Sequence, residues 1–289
     1  AQTTNVTVTM GPAQQIFDSA TEHCGPTAIE GPDINVSAFR NSQGEIVLLS
    51  GNAPDNYAMF GTNFDNLQRD CSQPLLRSDD SWNVTDFAPQ QWLFSGYTID
   101  GTNAYALINN EYHDPYAANC KPGDTTPANL CWYNFITYAK STDGGHTFTQ
   151  RPGDQKLVSI IPLQWDPTLP GTFYPNRPNP YGHFGALRIF QKDGFYYSFF
   201  QAFFPTPAAG AGRACLMRTA TLDVPHSWMI WDGQGFNIPY HNPYPTQAPD
   251  PSRYYCEPIS QNTLWGNSGP VTWNSNLGKY LMVIAGIYE

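Results

Sequence analysis

The chain has 289 residues, of which only 13% are charged, and its 24 glycines and 26 prolines are typical of many short strands joined by turns rather than of a helical bundle. The formal net charge is -10 and the 14 basic residues are scattered, which argues against nucleic acid and anionic membranes as partners because both require a basic face. No apolar run approaches the roughly 20 residues that span a bilayer.

Strand-like segments recur along the chain as a loose repeat of apolar or alternating runs separated by polar turns. The first copy predicts strands at 34–39, 45–50 and 57–60, and the second predicts strands at 91–97, 104–108 and 135–140. The third predicts strands at 183–190, 195–200 and 215–220, and the fourth predicts strands at 269–273 and 280–285. Asp193-Gly194, flanked by alternating apolar residues, predicts a tight hairpin turn in the third copy.

This repeat predicts an all-β chain folded as a β-propeller of four-stranded antiparallel blades, with five blades favoured and six as the alternative. Residues 1–289 are interpreted as one propeller domain that stops inside the second strand of its last blade. An open ring leaves exposed strand edges. The alternating run 4–10 is therefore expected either to close the ring within its own chain or to pair with a neighbouring subunit by strand addition.

The six cysteines form an even set without a CxxC pair, which favours disulfides over a zinc site or reduced thiols. Of the 15 pairings that six cysteines allow, closure of local loops favours three: Cys24–Cys71, Cys120–Cys131 and Cys215–Cys256. N-x-S/T sequons begin at Asn5, Asn35 and Asn83 and are typical of exported glycoproteins. We therefore predict a secreted, extracellular protein.

Residues 141–148, Ser-Thr-Asp-Gly-Gly-His-Thr-Phe, match the Asp-box pattern S-x-D-x-G-x-T-F/W at every defined position. The Ser and Asp side chains are expected to bond backbone N–H groups, a glycine to adopt a conformation that other residues resist, and the aromatic to pack between sheets. The turn resembles that of sialidases and other Asp-box propellers. A weaker echo at 219–233 is similar to a hairpin of the five-bladed arabinanase and invertase-type glycoside hydrolases. Because the sialidase Phe-Arg-Ile-Pro start is missing, the resemblance implies architecture rather than sialidase activity.

The resemblance to five-bladed glycosidases implies carboxylates at the central ends of the inner strands. Short acidic motifs similar to those of the invertase-type families occur at 31–33, 113–115 and 256–258. On this basis Asp33 is assigned as base or nucleophile, Glu257 as general acid, and Asp114 as the residue that tunes the pKa of the acid. The alternative interpretation is structural, with Asp33 capping a turn and the other two carboxylates solvated.

A further group of residues suits carbohydrate binding, because aromatic side chains offer flat apolar faces with a polar tip. The substrate-binding candidates are Glu111, Tyr112, His113, His183 and Trp265. No metal site is assigned, although Asn109, Asn110, Glu111 and Asp114 carry the hard oxygen ligands that Ca²⁺ prefers. Core packing of the aromatic residues and a structural role for the histidines are the competing interpretations.

The main function hypothesis is a secreted propeller that acts on carbohydrate and hydrolyses glycosidic bonds with paired carboxylates. The alternative is a non-catalytic glycan-binding or structural propeller of an extracellular assembly. The unfinished last blade and the strand-like N-terminal run favour this alternative. Carboxylates that converge at the centre of the ring would favour the enzyme.

Overall fold

The computed structural model describes residues 9, 11–25, 30–31, 36–50, 54–79, 81–114, 132–167, 169, 181–205, 212–259 and 270–282. All regular structure within these residues is β-strand or short 3-10 helix, which confirms the all-β prediction. The strands are β1 (Ser37–Arg40), β2 (Ile46–Leu49), β3 (Asp55–Asn56), β4 (Ala58–Gly61), β5 (Gln68–Arg69), β6 (Leu76–Arg77), β7 (Gln91–Thr98), β8 (Ala104–His113), β9 (Trp132–Ser141), β10 (Leu157–Ser159), β11 (Tyr181–Phe184), β12 (Phe190–Lys192), β13 (Phe195–Phe203), β14 (Arg213–Thr219), β15 (Met229–Trp231), β16 (Phe236–Ile238), β17 (Val271–Asn274) and β18 (Lys279–Met282). The 3-10 helices are Phe64–Asn66, Val84–Asp86, Gly153–Lys156, Pro225–Ser227 and Pro251–Tyr254. Across these ranges, no helix has the length and apolar character needed to cross a lipid bilayer.

The first predicted copy forms an antiparallel sheet in the order β1-β2-β4-β5. Val47 and Leu49 of β2 are fully buried, and they share one apolar cluster with Leu93 of β7 and Phe148. Removing such side chains from water is the main favourable term in folding. The first sheet is therefore packed against the unit that follows it.

The segment that precedes the first sheet is fastened to it by an ion pair and a disulfide. Arg69 Nη2 lies 2.7 Å from Glu30 Oε2, and both side chains are less than a tenth exposed. Burial raises the pKa of Glu30, but hydrogen bonds from the Cys24 and Gly25 backbone and from Arg69 outweigh it, so the pKa lies below its usual 4.5. Cys24 is bonded to Cys71, which confirms the first predicted disulfide.

The second and third copies join in a ten-stranded sheet with the main path β16-β15-β14-β13-β11-β9-β8-β7, in which β10 also pairs with β9 and β12 with β13. Strands β8 and β9 pair over ten residues, from Ala104 opposite Ser141 to His113 opposite Trp132. Strand β11 is parallel to β9 and joins the two copies. The Cys215–Cys256 disulfide is confirmed, whereas Cys120 and Cys131 lie outside the described residues.

The first strand of the third copy, predicted as one run at 183–190, is divided into β11 and β12. Between the two pieces the Leu187 N–H still donates to the Phe199 carbonyl at 2.9 Å. The Leu187 carbonyl and the Ile189 N–H instead bond a hydroxyl group: Ser95 Oγ donates to the former at 2.8 Å and accepts from the latter at 3.1 Å. Ser198 Oγ also donates to the Leu187 carbonyl, at 2.7 Å. The hairpin after β12 is formed as predicted, with Asp193 and Gly194 both at positive φ.

The first strands of the three copies contact one another. Gly96 of β7 donates its N–H to Ser37 Oγ of β1 at 2.9 Å, and Ser95 bonds the backbone between β11 and β12. A Cβ at Gly96 would lie 2.6 Å from Leu49 Cδ1. The glycine therefore permits the close approach of the first two units.

The predicted fourth copy appears as the separate hairpin β17-β18. The described sheets do not close into a ring, so the number of blades stays a prediction. Strand exchange through the run 4–10 also stays a prediction, because all of that run except residue 9 lies outside the described residues.

Candidate functional site

The two ends of the β8-β9 pair have different chemistry, and the end beyond Ser141 is a closed hydrogen-bonded turn. Asp143 Oδ1 accepts from the backbone N–H groups of His146 and Thr147 at 3.1 and 3.0 Å, while Asp143 Oδ2 accepts from Thr147 Oγ1 at 2.6 Å. Ser141 Oγ accepts from the Gly145 N–H at 2.8 Å. We call residues 141–148 the Asp143 turn.

This turn has the local geometry that its sequence predicts. Gly144 and Gly145 adopt φ values of 74° and 96°, which glycine reaches without steric cost. The Phe148 side chain is 5% exposed and packs in the cluster between the first two sheets. The turn is therefore a structural element. Its relationship to the turns of the Asp-box families stays a prediction.

At the opposite end of the pair, alternate residues of β8 bring polar side chains to one face of the sheet. Asn109 Nδ2 donates to Glu111 Oε1 at 3.2 Å, and Glu111 Oε2 lies 3.4 Å from His113 Nε2. The Glu111 and His113 side chains are 18% and 17% exposed. The structure thus brings these two predicted substrate-binding residues together in a half-buried setting.

Strand β9 completes this group, because Asn134 lies opposite Glu111 and Trp132 lies opposite His113. The Trp132 and His113 rings are stacked with centroids 5.5 Å apart. Asn134 Nδ2 donates to Asn109 Oδ1 at 3.3 Å. We call Asn109, Glu111, His113, Trp132 and Asn134 the strand-end cluster.

Strand β11 supports the strand-end cluster from the other side of β9. Gly182 pairs with Asn134, and a Cβ at Gly182 would lie 2.2 Å from the Asn134 carbonyl oxygen. Gly185 donates its N–H to Asn109 Oδ1 at 2.9 Å, and the Phe184 ring packs edge-on against Trp132. The approach of β11 therefore depends on a residue without a side chain at position 182.

Three buried polar atoms of the strand-end cluster have no hydrogen-bond partner among the described residues: His113 Nδ1, Trp132 Nε1 and Asn134 Oδ1. Buried polar groups are nearly always paired in proteins, so an unpaired group calls for an explanation such as local strain, a catalytic role, an ordered water or an ion. The indole N–H is a donor and the amide oxygen is an acceptor. A ligand that both donates and accepts hydrogen bonds would satisfy this set.

Tyr112 and Asp114 lie on the opposite face of the sheet. The Tyr112 ring packs edge-on against Trp165 with centroids 5.8 Å apart, and Trp165 Nε1 donates to Asp114 Oδ2 at 2.9 Å. Tyr181 stacks on the same indole with centroids 5.4 Å apart. Asp114 thus contacts an aromatic cluster of the core and is separated from Glu111 by the sheet.

His183 is buried beside the aromatic core and is 1% exposed. Its Nδ1 lies 2.7 Å from Ser159 Oγ, and its ring packs against Phe200 with centroids 4.8 Å apart. Burial lowers the pKa of His183 to about 3, so the ring is neutral near neutral pH. This placement favours a structural role over substrate binding.

Glu257 lies at the far edge of the ten-stranded sheet, beside the turn that joins β15 and β16. Its backbone N–H donates to the Trp231 carbonyl at 3.0 Å, and its side chain is exposed above Gly233. Strands β14, β13, β11 and β9 lie between this edge and β8. The described contacts therefore do not bring Glu257 together with Asp114.

Two predicted site residues, Asp33 and Trp265, lie outside the described residues. The four residues considered as calcium ligands are not gathered: Asn110 donates to Thr137 Oγ1 at 2.8 Å on the face opposite Asn109 and Glu111. Nor do the described residues contain a group of three or more His, Cys, Asp or Glu side chains able to hold a metal ion.

Sequence reasoning missed Asn134 as a site residue and treated Trp132 only as one aromatic among many. The signal that identifies them is the β8-β9 register, which places each opposite a polar residue of β8. That register pairs two strands separated in sequence by the segment 114–131, and the sequence of either strand alone does not specify it.

No protein-family model matches the chain, and no characterised protein matches it in sequence. Among solved structures, it is similar to an endo-1,4-beta-xylanase from Bacteroides thetaiotaomicron, with a TM-score of 0.40 and 12% identity over 69% of this chain and 53% of that one. It is also similar to an alpha-L-arabinofuranosidase from Clostridium thermocellum (TM-score 0.43, 14% identity, 85% of this chain and 58% of that one). A third is a beta-fructofuranosidase from Bombyx mori (TM-score 0.39, 16% identity, 71% and 36%). The chain spans 36% to 58% of the length of these structures.

Proposed function

We propose that the protein is an extracellular, carbohydrate-active β-propeller that binds a polysaccharide at the strand-end cluster. The observation that carries the proposal is a set of buried polar atoms on His113, Trp132 and Asn134, beside the Glu111 carboxylate, that have no hydrogen-bond partner in the described part of the chain. A sugar hydroxyl both donates and accepts, so neighbouring hydroxyls can satisfy the indole N–H and the amide oxygen together. The two disulfides support an oxidising, extracellular setting.

The contacts between the first strands of successive units support the propeller architecture. In such a ring the innermost strands of neighbouring blades approach each other around one axis. The hydrogen bonds from Gly96 to Ser37 and from Ser95 to Leu187 each join the first strands of two different units. We propose that residues 1–289 form one such domain, with five blades favoured.

Within the cluster, each side chain has a distinct part in recognition. Glu111 accepts hydrogen bonds from ligand hydroxyls, and its position is held by Asn109 and His113. Trp132 offers an indole N–H and an apolar ring. Asn134 is fully buried and presents its amide oxygen. A charge-assisted hydrogen bond to a carboxylate is stronger than a neutral one, so Glu111 is expected to contribute most of the affinity.

We further propose that the protein hydrolyses the polysaccharide that it binds. Hydrolysis requires two carboxylates about 5–5.5 Å apart for retention or about 6.5–9.5 Å apart for inversion. The sequence-based assignment is Asp33 as base or nucleophile, Glu257 as general acid and Asp114 as modulator. Glu111 is an additional carboxylate that would contact the substrate.

The test is release of reducing ends from a panel of polysaccharides, with binding to the same panel measured in parallel. We expect Glu111→Gln to weaken binding by about tenfold or more and to lower release with it, and Asp33→Asn and Glu257→Gln to abolish release while binding persists. Asp79→Asn is the matched control, because Asp79 is exposed and is not a member of the strand-end cluster. Retention of full binding by folded Glu111→Gln protein would refute the proposed site.

A second candidate, a non-catalytic glycan-binding protein, is favoured by a specific observation. Asp114 contacts the core through Trp165, and Glu257 lies at the far sheet edge, so the described contacts do not pair these carboxylates. Binding without release from any polysaccharide, in the experiment above, would select this candidate.

A further inference from the structure

The segment around Asn83 is a surface turn in which side chains hydrogen-bond to one another and to the backbone. Asn83 caps the 3-10 helix Val84–Asp86, and its Oδ1 accepts from the Thr85 N–H at 3.1 Å and from Thr85 Oγ1 at 2.8 Å. Among the described residues its Nδ2 donates to one acceptor, Asp86 Oδ1, at 3.2 Å. A primary amide carries two N–H hydrogens, so one remains for other chemistry.

This turn is fixed from below by apolar contacts. Val84 packs against the core, and Phe87, which ends the 3-10 helix at φ 51°, is 1% exposed. The Phe87 ring packs edge-on against Phe135 and Tyr244. These two inward anchors direct the remaining side chains of the turn away from the protein.

The outward face of the turn carries an exposed aromatic residue directly before the asparagine. Asn83 and Thr85 are exposed, and Trp82 is 52% exposed. An indole ring offers a flat apolar face with a polar N–H, and such a face packs well against a sugar ring. Trp82 therefore presents an exposed aromatic face directly beside Asn83.

We propose that Asn83 is an N-glycosylation site and that the first sugar of the glycan packs over the indole of Trp82. Asn83-Val84-Thr85 satisfies the acceptor pattern N-x-S/T, and its position on an exposed turn fits a bulky surface modification. The inference is independent of the strand-end cluster.

The modification is a transfer from a polyprenyl-diphosphate-linked oligosaccharide. A bond forms between Asn83 Nδ2 and the first sugar carbon, and the bond from that carbon to the diphosphate oxygen breaks. Polyprenyl diphosphate leaves and takes up the proton that the amide nitrogen loses. The product keeps a single N–H, which is enough for the bond to Asp86 Oδ1. The cap at Asn83 Oδ1 is also retained, so the native turn accommodates the sugar.

In the first experiment the full chain is expressed as a secreted protein in a eukaryotic host. Glycosylated asparagines are then identified by peptide mass spectrometry after enzymatic removal of N-glycans. We expect Asn83 to be recovered as aspartate in the wild type and in the matched control Thr85→Ser, which keeps the acceptor hydroxyl. Asn83→Gln and Thr85→Ala are expected to lose the glycan. Unmodified Asn83 in the secreted wild type would overturn the proposal.

The second experiment tests the contact with Trp82 by hydroxyl-radical footprinting. Protein trimmed to one sugar at Asn83 is compared with unglycosylated Thr85→Ala. We expect oxidation of Trp82 to be about twofold lower when the sugar is present, because packing removes one ring face from solvent. Equal oxidation in both samples would show that the sugar does not cover the indole.

Discussion

The β8-β9 pair ends in a turn at one side and in the strand-end cluster at the other, and the two ends differ in how their polar groups are satisfied. In the Asp143 turn, the carboxylate and the Ser141 hydroxyl accept several backbone and side-chain hydrogens. In the strand-end cluster, three buried polar atoms have no partner among the described residues.

This difference indicates that the Asp143 turn contributes to stability and the strand-end cluster to function. A satisfied network stabilises the fold and leaves little capacity for a ligand, whereas buried unpaired groups cost free energy in the absence of one. The sequence motifs alone would rank the Asp143 turn above the strand-end cluster as a candidate functional site, because the turn has the strongest sequence signal in the chain. We therefore expect substitutions at the turn to lower stability and substitutions in the cluster to lower binding.

The largest expected effect is that of Gly182→Ala, which disrupts the contact of β11 with β9 beside the strand-end cluster. Gly182 has φ 123°, and the added Cβ would lie 2.2 Å from the Asn134 carbonyl oxygen. We expect a loss of about 3 kcal/mol or more in the free energy of unfolding, together with loss of glycan binding. Urea denaturation measures the first and affinity electrophoresis the second.

Gly153→Ala is the control for backbone strain alone. Gly153 has φ 54°, and a Cβ there would meet nothing within 4 Å. We expect a cost of about 1 kcal/mol and unchanged binding. Equal losses in the two variants would show that the contact between β11 and β9 is not the cause.

The second prediction concerns His183, the buried histidine that follows Gly182 on β11. The pKa of His183 is about 3 in the folded protein and 6.5 in the unfolded chain, so the unfolded state alone binds a proton between these values. Stability therefore falls as the pH drops below 6.5, by about 1.4 kcal/mol per pH unit from this group.

His183→Gln is expected to flatten the dependence of the unfolding free energy on pH between 6.5 and 5. Glu30 does not interfere, because its depressed pKa removes stability only below its usual 4.5. Urea denaturation at the two pH values gives the slope. An unchanged slope in the variant would refute a neutral, buried His183.

The third prediction is that Asp143→Ala lowers stability without affecting the opposite end. The substitution removes acceptors for His146 and Thr147. By analogy with the loss of a capping side chain we expect about 1–2 kcal/mol. Thr142→Ala is the matched control, since Thr142 is an exposed residue of the same turn. A large loss of glycan binding in Asp143→Ala would mean that the two ends are not separable.

The features that could be predicted from sequence are those determined by residues close together in the chain. Alternation gave the strands of the first two copies, and the Asp193-Gly194 and Asp143 turns have the predicted local geometry. The division of the strand at 183–190 could not be predicted, because it depends on hydroxyls of Ser95 and Ser198 from other strands.

The candidate site was predicted only in part for the same reason. Glu111 and His113 lie two residues apart on one strand, so alternation places them on one face. Trp132 and Asn134 join them through strand pairing across the chain segment 114–131, and Gly182 through a parallel contact. Such non-local pairings have no signature in a single sequence. The roles of Asp33 and Glu257 stay predictions.

The most direct test of the account is a comparison of glycan binding and unfolding free energy in Glu111→Gln and Asp143→Asn, using a polysaccharide that the wild-type protein binds. We expect Glu111→Gln to weaken binding by about tenfold or more while stability changes by less than about 1 kcal/mol. Asp143→Asn should show the reverse pattern. Full binding by a folded Glu111→Gln variant would contradict the account.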